Sequence, residues 1–186
     1  MRKIIYSLMV SLDGMISGPR GELDWAIIDR ELHEYVNDQE RTVDTHLYGR
    51  RTWELMAAFW PTADTNPASE DFEVEFAHIW KALHKVVFSR TLPGVEGNAT
   101  LVRELDVNEI ERMKQQPGKD MAVAGADLAS TFMRHGLIDR YELYVHPVVL
   151  GGGTPMFPPL DQPLTLRLVE TRTFGSGVVH LRYQAA

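Results

Sequence analysis

The chain has 186 residues, 44% of them hydrophobic and 24% charged, with a formal net charge of −7 and no cysteine. That length and composition fit one soluble globular domain with a substantial core. The acidic balance argues against general nucleic-acid binding, and the missing cysteine excludes disulfides, thiolate zinc sites, iron–sulfur clusters and cysteine nucleophiles.

Arg2 and Lys3 precede IIYSLMV, but Ser11, Asp13 and Gly14 interrupt the apolar run without a small-residue cleavage pattern. Ile4 to Val10 therefore reads as a strand covered on both faces. Asp13-Gly14 and Gly18-Pro19 are turns. From Asp29 to about Thr42, Leu32, Tyr35 and Val36 recur at helical spacing among charges, which predicts an amphipathic surface helix. Thr45 to Tyr48 reads as a strand, and Arg51 to Phe59 as a helix ended by Pro61. PTADTNPASED is polar, contains two prolines and reads as a loop.

Phe72 to Leu83 resumes a helical pattern, with Phe76, Ile79 and Leu83 on one side. Lys85 to Ser89 and Thr100 to Val102 read as strands, Val107 to Gln115 as a helix. Met121 to Ala124 is a short buried strand running into a helix from Asp127 to about His135. Tyr141 to Val145 is a strand with polar alternation. Leu164 to Phe174 and Val178 to Tyr183 flank Gly175-Ser176-Gly177 and read as a β-hairpin. Strand and helix alternate, then antiparallel strands close the chain. The pattern predicts a three-layer α/β/α sandwich around a mostly parallel sheet. No segment is long and apolar enough to span a bilayer, and the expected location is the cytoplasm.

Ligands of such sheets bind beyond the carboxyl ends of the strands, and three junctions qualify. At Leu47-Tyr48-Gly49-Arg50-Arg51-Thr52, glycine allows close approach and a helix N-terminus offers free N–H groups to an anion. Arginine adds bidentate bonds suited to phosphate, although adjacent arginines also serve simply to solvate a helix surface. The second junction is Phe88-Ser89-Arg90-Thr91, and the third is Val123-Ala124-Gly125-Ala126-Asp127-Leu128. Three phosphate-competent junctions in one sheet suggest a long, multiply charged ligand such as a dinucleotide.

GRRTWE, followed in order by VVFSRT and VAGADL, resembles the dihydrofolate reductase superfamily. The opening IIYSLMVSLDGMIS and the later GLIDRYELYVHPVVLGGGTPMF resemble its riboflavin-biosynthesis reductase branch. The resemblance implies NADPH held by Gly49, Arg50, Arg51 and Thr52, with Ser89 and Arg90 near the 2′-phosphate. It implies Gly125, Ala126, Asp127 and Leu128 at the pyrophosphate and nicotinamide side, and Met9, Ile16 and Ser17 beside the nicotinamide. Two departures stand out: Ala126 replaces the second glycine of a Gly-Gly turn, and Ala124 stands where riboflavin reductases carry glutamate.

The resemblance further implies reduction of a pterin- or aminopyrimidine-type heterocycle, with 5-amino-6-(5-phosphoribosylamino)uracil the leading substrate and dihydrofolate the alternative. A non-catalytic nucleotide-binding or assembly protein on the same fold is the rival from another class. Asp29 is the candidate proton donor, with capping of its helix as the competing role, and Trp25 is a candidate wall of the substrate pocket. A homodimer formed through late strands is also implied. The glycine run of PVVLGGGTPMF leads into Thr154-Pro155 rather than a helix, so it fits neither a Rossmann fingerprint nor a P-loop. The seven histidines show no metal-ligand spacing.

Overall fold

The computed structural model of the chain describes residues 1–160 and 162–186. The apolar run after Lys3 forms β1 (Ile4–Ser11), which pairs in parallel with β6 (Asp120–Ala124) on one side and β7 (Arg140–His146) on the other. Outward from β6 lie β3 (Val43–Gly49), β4 (His84–Phe88) and β5 (Ala99–Val102), all parallel. Beyond β7, β10 (Val179–Ala185) and β9 (Leu166–Thr173) add as an antiparallel hairpin, giving the order β5-β4-β3-β6-β1-β7-β10-β9.

Successive side chains of a strand face opposite layers, and the core is divided accordingly. Ile4, Tyr6, Leu47, Val86, Met121 and Val123 face α4 (Val107–Gln115) and α5 (Ala126–Arg134), where Ile110 and Phe132 are buried. Tyr48 and Val87 face the other way, onto Trp53 of α2 (Arg50–Ala63) and Phe76 and Trp80 of α3 (Asp71–Ala82). Tyr144 packs on that same side, under Leu32 of α1 (Arg30–Glu40). Burying each such side chain contributes roughly 1.5–3 kcal/mol, so a one-residue slip of any central strand would forfeit several at once. This is the expected three-layer sandwich.

Pro61 does not end α2. The helix continues to Ala63, with the proline inside its last turn. Pro61 forfeits a hydrogen bond, but Ala63 is buried and Asp64, the next residue, pairs with Lys81 at 2.6 Å. Tertiary contacts hold the turn that propensity would break. The chain also contains a two-stranded ribbon that the sequence pattern did not reveal, formed by β2 (Met15–Ser17) and β8 (Thr154–Pro155). Among the described residues, no helix is long and apolar enough to cross a membrane.

The amino ends of the strands are fastened by ion pairs, Arg2 with Asp44 and Lys114 with Asp139, which also accepts from the Ile4 N–H. The carboxyl ends are left to glycines and helix N-termini.

Candidate functional site

At the carboxyl ends of adjacent parallel strands, β3 passes into α2 at Gly49-Arg50 and β6 into α5 at Gly125-Ala126. The N-cap of each helix is a glycine without a side-chain hydrogen bond to the first turn. Two sets of helix N–H groups, each with the positive end of a helix dipole, therefore border one groove of about 900 Å³. Gly125 has φ +103°, and a Cβ there would lie 2.7 Å from Oγ1 of Thr52. Only glycine lets these junctions abut.

The groove is lined on the α2 side by Gly49, Arg50, Arg51 and Thr52, and on the α5 side by Gly125, Ala126, Asp127 and Leu128. Ile16 and Ser17 of β2 and Thr154 of β8 form a third wall. The glycine run preceding Thr154 has a steric reason: Gly153 has φ +132°, and a Cβ on it would fall 1.9 Å from the Ser17 carbonyl oxygen. Asp13 ties this loop to the β1–β2 turn, accepting from the Ser11 hydroxyl and from the N–H groups of Leu150 and Gly151. Those bonds, the Ser11 hydroxyl first, hold its carboxyl down at about 2.

The two arginines differ in their surroundings. Arg50 donates to Glu54 at 2.8 Å and to the Thr91 hydroxyl at 2.9 Å, reaching toward the turn after β4. Arg51 is exposed and, among the described residues, has no hydrogen bond or ion pair. Ser89 and Arg90 do not line the groove. The Ser89 hydroxyl is buried and accepts from the Thr91 and Leu92 N–H groups, while Arg90 stands exposed, 3.6 Å from Glu104. Asp127 adds one negative charge to the α5 side.

A cleft of about 470 Å³ runs between the sheet and helices α1 and α2. Met9 and Ala124 lie along its sheet side, Val36 and Met56 along its helical side, and Trp25 in the wall between β2 and α1. Trp25 Nε1 donates to the Glu22 carbonyl at 3.1 Å, and its ring meets His146 edge-on at 5.4 Å. His146 is fully buried, its Nδ1 accepts from the Ile27 N–H at 3.1 Å, and burial pushes its pKa down. A histidine at the end of β7 thus fastens the segment carrying Trp25.

Asp29 does not line this cleft. Its carboxylate accepts from the Leu32 N–H at 2.9 Å as the N-cap of α1. Among the polar groups that do line it, Thr52 was named from the sequence, while Glu40, His46 and Glu142 went unnoticed. Glu40 is 2.6 Å from His46 Nε2; His46 Nδ1 meets the Tyr48 hydroxyl, which also accepts from Trp80 Nε1 at 3.2 Å. Glu142, on β7, is buried among Arg140, Arg182 and His180. Burial alone would raise its pKa, but His180 and the two guanidinium groups bring it below the usual carboxylate value. The signal for Glu142 was present: polar alternation puts it on the same face of β7 as Tyr144.

Groove and cleft meet. Ile16, Thr52 and Gly125 line both. Among the described residues, no group of His, Asp and Glu side chains is arranged to hold a metal ion.

Comparison with known proteins agrees with this architecture. The family model described as "RibD C-terminal domain" matches residues 2–180. The protein YyaP of Bacillus subtilis (strain 168), called uncharacterized, is 40% identical over 186 residues, spanning 98% of this chain and 94% of that one. The fold is shared with a diaminohydroxyphosphoribosylaminopyrimidine deaminase/5-amino-6-(5-phosphoribosylamino)uracil reductase from Thermotoga maritima, at a TM-score of 0.65 and 15% identity. That match covers 100% of this chain and 57% of the Thermotoga chain. Dihydrofolate reductase from Enterococcus faecalis, solved with NADP(H), shares the fold at a TM-score of 0.61 and 15% identity, over 98% of this chain and 96% of that one. With a mostly parallel sheet of this order, helices on both faces and a family model spanning residues 2–180, the chain belongs to the RibD C-terminal domain family and has a dihydrofolate-reductase-like fold.

Proposed function

We propose that the chain is an NADPH-dependent reductase acting on a planar, nitrogen-containing heterocycle held in the cleft. The observation that carries this reading is the junction of groove and cleft at Ile16, Thr52 and Gly125. A two-substrate reduction needs two adjoining compartments, one for the cofactor and one for the acceptor.

The groove fits a dinucleotide phosphate on its own chemistry. It offers two glycine-capped helix N-termini, an unengaged guanidinium on Arg51, and Arg50 extended toward the turn of Ser89 and Arg90. NADPH, when bound, supplies the hydride. Arg50, Arg51 and the helix N–H groups would hold its phosphates, and the bare Gly125 would let the cofactor approach the backbone. Ile16 at the junction and Met9 on the sheet side of the cleft would present an apolar surface to the reacting ring. Thr52 brings a hydroxyl to the same place, able to order a water that carries the proton.

A second reading, a nucleotide-binding or assembly protein without turnover, draws support from the absence of a carboxylate at the three-residue junction. Two experiments separate them. Thermal shift with NADPH and NADH reports on the groove, because a ligand selective for the folded state raises apparent stability. A single-turnover assay with NADPH against pteridines and aminopyrimidines then reports on chemistry, with 5-amino-6-(5-phosphoribosylamino)uracil and dihydrofolate as reference acceptors. Substrate-dependent oxidation of NADPH is the expected result, and binding without oxidation would favour the second reading.

The free edge of β9 supports a homodimer. It ends the eight-stranded sheet, and its Leu168 and Val169 are 49% and 51% exposed. A sheet edge that nothing covers among the described residues can pair with a second copy, though the bulge at Val169 and the charges of Arg167, Glu170 and Arg172 limit how far such pairing could run. Sedimentation as a single subunit at micromolar concentration would count against it.

A further inference from the structure

The groove holds Arg50, paired with Glu54, and Arg51, which has no partner among the described residues, against the carboxylates of Glu54 and Asp127. The cleft has no arginine left without a partner, and that difference bears on the substrate. Besides His46, the charged residues lining the cleft are Glu40, Arg140 and Glu142. Arg140 is the one cation, and it already stands 2.9 Å from Glu142 and 3.9 Å from Asp120. Arg182, which approaches Glu142 at 2.9 Å, is also paired with Glu170 and donates to Gln39 at 2.6 Å. The cationic charge near the inner end is therefore matched by carboxylates. A phosphate placed there would meet carboxylates without a free positive partner, and desolvating it would go uncompensated.

The outer part of the cleft gives the complementary observation. Leu23, Ile28 and Leu55 line it and are 46%, 47% and 56% exposed, with Trp25 among them. Scattered surface leucines need no explanation, but several converging on one opening describe an apolar contact surface. The unengaged arginine, Arg51, lies on the groove side, where the cofactor phosphates would take it up.

We infer that the substrate carries no phosphate: it is an uncharged planar heterocycle bearing an apolar substituent, with its ring toward the polar inner end and the substituent against Leu23, Ile28 and Leu55. This rests on the reading of the cleft as the acceptor site. It separates the chain from the phosphoribosyl substrate in the name of the Thermotoga protein.

The test compares three pterins sharing one ring, 6-phenylpterin, 6-hydroxymethylpterin and the phosphate monoester of the latter, by calorimetric titration with and without saturating NADPH. The phenyl compound should bind about tenfold or more tighter than the phosphate ester, the scale expected from burying part of one apolar ring. A phosphate ester that binds as tightly as the phenyl compound overturns the inference, as does failure of all three to bind at millimolar concentration. Leu55→Arg, with Leu23→Arg as a second variant should the first misfold, should narrow the gap by strengthening the phosphate ester and weakening the phenyl compound. A gap unchanged in a folded variant would place the substituent elsewhere. If NADPH fails to shift the melting temperature while 6-phenylpterin still binds, the cofactor assignment falls and the cleft inference stands. If NADPH binds and the phosphate ester wins, only the cleft inference falls.

Discussion

The Cβ that Gly125 lacks would stand 2.7 Å from Oγ1 of Thr52, so the turn after β6 and the first turn of α2 touch through the one side chain and the absence of the other. This contact lies where groove and cleft join. Gly125→Ala introduces both a clash and a residue at φ +103°, a conformation that costs of order 1–3 kcal/mol for an L side chain. The variant should unfold at lower denaturant and lose the NADPH thermal shift. Adding Thr52→Ala should relieve the clash and restore part of the stability, leaving the backbone penalty. A single variant as stable as the parent would show that the junction tolerates a methyl group.

Arg50 and Arg51 are adjacent in sequence but separable in effect. Arg50 leans toward Thr91 and the turn expected at the 2′-phosphate, whereas Arg51, at the helix N-terminus, has no partner among the described residues. Arg50→Ala should weaken NADPH far more than NADH, by about tenfold to a hundredfold, the worth of one charged hydrogen bond of ~1.5–3 kcal/mol. Arg51→Ala should weaken both cofactors alike, because it faces the phosphates they share. Equal losses for Arg50→Ala would remove it from the 2′-phosphate, and the readout is a pair of dissociation constants at fixed salt.

Much of this was legible because it is local. β1, with its continuous apolar run, and β7, with its alternation, lie where the pattern put them. The junctions after β3 and β6 announced themselves through Gly49-Arg50 and Gly125-Ala126. What the sequence hid depends on contacts distant along the chain. The β2–β8 ribbon pairs residues some 140 positions apart, and two residues make too short a strand to leave a period. Pro61 misled because its cost is local while the burial of Ala63 that offsets it is not. Glu40, His46 and Glu142, in the polar lining of the cleft, were missed for a similar reason: they come from three elements, and no spacing rule joins them.

Asp29 gives a direct test of helix capping against acid catalysis. Its carboxylate accepts from the Leu32 N–H and stands outside the cleft lining. Asp29→Ala should lower stability by about 1 kcal/mol, as loss of an N-cap does, and Asp29→Asn should restore nearly all of it. Turnover by the asparagine variant should stay within a few-fold of the parent. A drop of about 10²–10⁴ in rate with unchanged stability would instead make Asp29 the proton donor.

His146 makes stability depend on pH, in a direction that follows from its single hydrogen bond. Its Nδ1 accepts from the Ile27 N–H, so the buried ring is neutral, and burial holds its pKa below the ordinary 6.5. Protonation would place a hydrogen on Nδ1, facing a second donor, and the segment carrying Trp25 would lose that tie to the sheet. A group whose folded pKa is depressed contributes stability that is complete above its unfolded value and is lost as pH falls through the folded one. His33, whose pKa burial also lowers, acts in the same sense. The melting temperature should therefore be level only between about pH 7 and 8, above which the buried Lys85, its pKa pushed down to about 8, adds stability as it loses its proton. It should decline from about 6.5 downward, with His146→Gln removing part of the slope and His33 supplying a further part. Carboxylates held below their usual range, such as Asp13 and Glu142, take over at lower pH. Stability that rises as pH falls from 7 to 5, or a slope untouched by His146→Gln, would show that the ring is not held neutral by its place at the end of β7.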